Sequence, residues 1–129
     1  MKKKSDIKIL IVEDEAITGL LLKKELAEQG YTLCSVTSNY DKALAEFQKE
    51  HPNLLIMDIQ LTSDIDGIEL SREIRKFNPE IPIIFVTGYA ETDIKSRALE
   101  LKPVSYLVKP IKTAILISTI NEHFKLVPI

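Results

Sequence analysis

Four short segments of this chain carry groups that could do chemistry together: Glu13-Asp14-Glu15, Asp58, Thr87-Gly88 and Lys109-Pro110. Each directly follows a run of apolar residues. Taken singly, every one has an ordinary structural use. Asp14 or Glu15 would favour a helix N-terminus by about 0.3–1 kcal/mol. Asp58 suits a turn after a strand, Thr87 a cap or turn, and Lys109 a surface cation on a buried stem. Taken together they describe a reaction centre. Three carboxylates held together repel one another and need a cation. With no histidine or cysteine among them, the oxygen-only set favours a hard ion, Mg²⁺ rather than zinc. A lysine and a threonine facing that ion would neutralise and hydrogen-bond the remaining oxygens of a phosphoryl group. A carboxylate can itself attack phosphorus and form an aspartyl phosphate. The chemistry these groups point to is phosphoryl transfer, with Asp58 as nucleophile.

For those groups to meet, the elements that carry them must end at one edge. Five apolar runs, at 7–12, 32–36, 54–57, 81–86 and 104–108, are mostly continuous rather than alternating, as strands buried on both faces should be. Segments of helical period lie between them. The first, at 16–29, carries Ile17, Leu20, Leu21 and Leu26 before Gly30; the second, at 41–50, carries Ala43, Leu44 and Phe47 before Pro52. The next two place Ile68, Ser71, Ile74 and Phe77 on one face and Ile94, Ala98 and Leu101 on another, and the last runs from 111 to 124. Five βα repeats predict an α/β fold: a doubly wound, three-layer α/β/α sandwich around a five-stranded parallel sheet of order 2-1-3-4-5. Its crevice opens at the carboxyl ends of strands one and three, where Asp14 and Asp58 stand.

Composition narrows the function classes. At 129 residues and 45% hydrophobic, residues 1–129 are expected to form a single domain, with 1–6 a flexible N-terminus. A net charge of −2 with mixed signs argues against direct nucleic-acid binding, and Lys2-Lys3-Lys4 reads as a solvated end. Cys34 is the only cysteine, so an intrachain disulfide is excluded. No apolar stretch approaches the ~20 residues of a membrane span. A cytoplasmic protein is expected.

The strings ILIVEDE, LLIMDIQ, DGIEL, PIIFVTGYA and YLVKPI, in this order and spacing, resemble the receiver domain of two-component response regulators, in the CheY-like superfamily of flavodoxin-like folds. The resemblance runs nearly end to end. It implies that Asp58 is the phosphoacceptor, Asp14 a direct Mg²⁺ ligand, Glu13 an acid acting mainly through metal-bound water, and the carbonyl of Gln60 a further ligand. It makes Lys109 the lysine that contacts the phosphoryl group and Thr87 the switch hydroxyl, with Gly88 leaving room for the phosphoryl oxygens. Tyr106 is then the aromatic coupled to Thr87, Gln60 and Tyr89 the residues that tune phosphoryl lifetime, and Lys109-Pro110 a cis peptide, where sequence alone favours trans. The implied partner is a histidine kinase or histidine phosphotransfer protein, and the implied role is signalling rather than catalysis on an external substrate. The apolar last helix suits core packing; a homodimer through the helix 4–strand 5–helix 5 face is the alternative.

Two segments depart from the family pattern. Leu61-Thr62-Ser63-Asp64-Ile65-Asp66-Gly67 lacks the usual proline and runs one residue longer, and Leu101-Lys102-Pro103-Val104 replaces a Gly-Ala turn. Rival readings fare less well. A haloacid-dehalogenase-type phosphatase needs a second Asp where Gln60 stands, and a nucleotide or flavin module needs a glycine-rich first turn where Glu13-Asp14-Glu15 stand. A receiver-like scaffold that signals without phosphorylation is the remaining alternative, against which the intact Asp14, Asp58, Thr87 and Lys109 argue.

Overall fold

The computed structural model describes residues 3–61, 65–88 and 91–126. Among them, strands β1 (Lys8–Val12), β2 (Thr32–Leu33), β3 (Leu54–Met57), β4 (Ile83–Thr87) and β5 (Ser105–Val108) form one parallel sheet of order β2-β1-β3-β4-β5. Helices α1 (Ala16–Glu28), α2 (Tyr40–Glu50), α3 (Gly67–Phe77), α4 (Thr92–Leu99) and α5 (Thr113–Phe124) alternate with the strands. The doubly wound three-layer sandwich expected from the sequence is the fold observed.

The continuous apolar runs follow from burial on both faces. Leu10, Val12, Leu55, Met57, Ile83 and Phe85 point into one core, closed by Ala43 and Phe47 of α2, Ile68, Leu70 and Ile74 of α3, and Ala98 of α4. The alternate residues Ile9, Ile11, Leu54, Ile56, Ile84 and Val86 point into the other, closed by Leu26 of α1 and Leu116 and Ile120 of α5. Each fully buried aliphatic side chain contributes about 1.5–3 kcal/mol relative to exposure. Local chemistry sets the helix ends. Asn39 and Asp66 accept the N–H groups of Lys42 and Glu69 at 3.0 and 2.9 Å as N-caps of α2 and α3. Gly30, at φ +99°, stops α1 in a conformation that only glycine takes freely.

The structure corrects several details. The second strand was expected over 32–36 but ends at Leu33, because the Ser35 N–H turns away to Glu46 Oε1 at 3.3 Å before the chain rejoins β1 through a Thr37–Val12 bridge. Helix α1 buries only Leu26 of the four apolar residues its period suggested. Ile17, Leu20 and Leu21 are 82, 63 and 54% exposed, while Gly19 and Leu26 are buried. The reason is close approach: a Cβ on Gly19 would lie 2.7 Å from Val36 Cγ1, so the side that packs is the one where Gly19 lets the helix come near, with Leu26 beside it. On α3, Phe77 is exposed beside Phe47 rather than buried with Ile74. On α5, Leu116 and Ile120 enter the core and Ile115 is exposed. Ahead of β1, Lys4–Asp6 form a 3-10 turn whose Ser5 carbonyl accepts the Thr32 hydroxyl.

Candidate functional site

Strand register delivers the chemical groups to one edge. Val12 pairs with Met57, Met57 with Phe85 and Thr87 with Val108, so Glu13, Asp58 and Lys109 each begin just past paired positions. Backbone bonds continue the alignment one step beyond the strands: Asp58 N–H donates to Val12 O at 2.8 Å and Lys109 N–H to Thr87 O at 2.7 Å.

At that edge the Lys109 ammonium lies 2.8 Å from Glu13 Oε1, 3.2 Å from Asp58 Oδ2 and 3.4 Å from Glu15 Oε1. Glu13 and Asp58 are 2 and 4% exposed. Burial pushes the Glu13 carboxyl above its ordinary value, and the neighbouring Asp58 pushes it further. Burial alone would lower the lysine, but its bond to Glu13 and the charges of Asp58 and Glu13 outweigh that and hold its pKa above the ordinary value. The second oxygen of Asp58 is also held, accepting the Gln60 N–H at 3.2 Å. The nucleophile candidate is thus fixed from both sides.

Negative charge exceeds positive here. Glu13, Glu15 and Asp58 share Lys109, and beside them Asp14 Oδ1 is buried with no hydrogen-bond partner. A buried carboxylate oxygen without a donor is costly unless a cation serves it. The donor set is entirely oxygen, which fits Mg²⁺, and the group that Asp14 presents is the one such an ion would use.

The other expected site residues hold varied positions. Thr87 is fully buried as the last residue of β4. Tyr106 of β5 is partly buried, its ring 6.3 Å from that of Phe85 and 5.8 Å from the ammonium of Lys95 on α4. Gly88 faces open space, with no described atom within 4 Å of a Cβ placed there. The Lys109-Pro110 peptide is cis. Tyr89 and residues 62–64 of the lengthened loop lie outside the described residues. At the other departure, Lys102 carries φ +50°, where a glycine would be unstrained.

Two residues make contacts here that sequence reasoning did not assign. Glu15 reaches Lys109 rather than capping its own helix. Gly67, the first residue of α3, runs against the Asp58 backbone: its N–H donates to Ile59 O at 2.7 Å, and a Cβ would sit 2.1 Å from Asp58 O. The available signal was a glycine directly after the N-cap aspartate, where helix chemistry does not ask for one.

The family model described as "Response regulator receiver domain" matches residues 9–121. The "Probable transcriptional regulator ycf27" of Porphyridium aerugineum is 35% identical over 103 residues, 80% of this chain and 42% of that protein. The "Transcriptional regulatory protein ZraR" of Klebsiella oxytoca is 32% identical over 116 residues, 90% of this chain and 26% of that protein. The chain spans less than half the length of these curated relatives. Among solved structures, a response regulator receiver domain protein (CheY-like) from Methanospirillum hungatei JF-1 superposes with a TM-score of 0.85 at 30% identity, covering 92% of this chain and 94% of the other. A two-component response regulator from Clostridium difficile gives 0.86 at 28% identity, covering 92 and 96%. Sequence match, sheet order and shared architecture agree: this chain belongs to the response regulator receiver domain family.

Proposed function

We propose that this receiver domain accepts a phosphoryl group onto Asp58 from the phosphohistidine of a histidine kinase or histidine phosphotransfer protein, in a Mg²⁺-dependent reaction, and signals by a conformational switch. The observation that carries the reading is a buried carboxylate, Asp58, held by Lys109 and the Gln60 N–H, beside the unpartnered oxygen of Asp14. In the transfer step an Asp58 oxygen attacks phosphorus and the P–N bond breaks. Its electron pair stays on the imidazole nitrogen, which takes up a proton. In the clearing step water attacks phosphorus, the P–O bond breaks, and Asp58 returns as carboxylate with inorganic phosphate released. The domain acts on its own side chain, which is why it is a signalling module rather than an enzyme for an external substrate.

Asp14, Asp58, the Gln60 carbonyl and, through water, Glu13 would hold Mg²⁺, which when bound compensates charge at the phosphoryl oxygens. Lys109 would pair with one phosphoryl oxygen and the Thr87 hydroxyl with another, while Gln60 and Tyr89 flank the group and set its lifetime. The Thr87 shift would be passed to Tyr106, whose contacts with Phe85 and Lys95 reach β4 and α4. This is a population shift between two arrangements of one fold. Exposed Leu99, Val108 and Ile115 make the α4–β5–α5 face the output surface, suited to a homodimer or a downstream partner. No helix among the described residues is long and apolar enough to cross a membrane, and the single buried thiol suits a cytoplasmic protein.

Incubation with Mg²⁺ and acetyl phosphate, followed by intact mass, should show a gain of one phosphoryl group in wild type and none in Asp58→Asn or without Mg²⁺. Equal labelling of both proteins would refute the assignment. Thr87→Ala should be labelled at a similar rate yet fail to change its association or its α4 environment on phosphorylation; a normal response would remove Thr87 from the switch.

A further inference from the structure

Lys109 is shared by three carboxylates, and only two of them are buried. The third, Glu15, has a side chain 66% exposed and stands at the rim of the crevice. It occupies the N-cap of α1 with extended backbone angles, φ −85° and ψ 113°, where a side-chain oxygen ordinarily accepts the helix's own N–H groups, yet it makes no such bond. Its own N–H donates to Glu13 Oε2 at 3.2 Å, anchoring its backbone to the buried acid. Its carboxylate instead crosses to an ammonium 94 residues away in sequence.

We propose that Glu15 is a positioning residue for phosphoryl transfer, holding Lys109 at the rim of the resting site and opposing the approach of highly charged phosphodonors. An ammonium has three donor hydrogens, and here three carboxylates surround it. A phosphoryl group on Asp58 needs at least one of those hydrogens. Before the transfer, releasing Glu13 or Asp58 would take the ammonium from a buried carboxylate, whereas releasing the exposed Glu15 loses little. Glu15 is therefore the partner that lets go, and its charge then faces the arriving phosphoryl oxygens. Because that charge is solvent-exposed, its influence fades with salt. The inference rests on the reading of Asp58 as phosphoacceptor.

The test compares wild type, Glu15→Gln and Glu15→Asp under saturating Mg²⁺. Labelling rates are read by intact mass with acetyl phosphate, a dianion at neutral pH, and with phosphoramidate, of lower net charge, at low and high ionic strength. Glu15→Gln should speed labelling by acetyl phosphate about threefold at low salt and by phosphoramidate less, with the difference shrinking at high salt. Glu15→Asp, which keeps the charge, should retain the wild-type donor ratio. Calorimetric Mg²⁺ titration without any donor should show weaker binding to Glu15→Gln, because the site has lost a negative charge. A donor ratio unchanged in Glu15→Gln, or equal acceleration with both donors, would overturn the proposal; a helix-starting role alone would lower Tm and leave the ratio where it was. Label appearing equally in Asp58→Asn would instead defeat the phosphoacceptor reading, and this inference with it.

Discussion

Glu13 shows the electrostatics of the centre most clearly, because its pKa is raised by burial first and by Asp58 second. The folded domain therefore holds this proton more tightly than the unfolded chain does. Its contribution to stability is complete below the unfolded value, 4.5, and is lost as pH rises through the higher folded value. In chelator, wild type should lose stability over that window and Glu13→Gln should lose less; adding Mg²⁺ at neutral pH should then restore more to wild type. Urea unfolding at pH 5 and 7.5 with and without Mg²⁺ measures this, and parallel pH responses in the two proteins would contradict it. Glu13, Asp58 and Lys109 were legible in the sequence because each directly follows an apolar run. The reach of Glu15 to Lys109 was not, since nothing local to an exposed acid at a helix start reveals a partner 94 residues away.

Gly67 ties the start of α3 to the Asp58 segment, so that helix start also sets where Asp58 stands. Gly67→Ala must displace backbone rather than a flexible side chain, at a cost of about 1–3 kcal/mol, and should slow phosphorylation by moving Asp58. Chemical denaturation and donor-driven labelling report the two effects, and a variant of wild-type stability and rate would show that the contact relaxes freely. Element types and order were readable because burial on both faces writes continuous apolar strands between helical periods. What could not be read was which stripe of a helix turns inward. In α1 apolar residues run along two sides, and the side chosen is the one where Gly19 permits contact with Val36. The short β2 was likewise hidden, because its end depends on a bond from Ser35 to Glu46 of another element.

Across the whole molecule, the uncovered side of α1 places Ile17, Leu20 and Leu21 on the helix that begins at the rim of the crevice. In the proposed reaction a protein brings the phosphohistidine to that rim, and an exposed apolar patch is what such a protein would cover. Leu20→Glu should lower transfer from a cognate phosphohistidine protein by about tenfold or more while leaving labelling by acetyl phosphate unchanged. Equal loss with both donors would mean that the substitution damages the fold rather than a docking surface. The opposite flank is tied by charge: Arg97 of α4 pairs with Asp66 and Glu69, and Arg72 of α3 with Glu69 and Glu100. These exposed pairs are individually weak, and they join α3, which starts against the Asp58 backbone, to the helix beside Tyr106.

The most direct measurement is to trap the phosphorylated residue itself. Under continuous supply of acetyl phosphate and Mg²⁺, borohydride reduction converts an aspartyl phosphate to homoserine, and peptide mapping then locates it. Homoserine is expected at position 58 and at no other aspartate, dependent on both donor and metal. Homoserine at Asp14 or Asp66, or an unmodified Asp58 in protein that carries the phosphoryl mass, would contradict it.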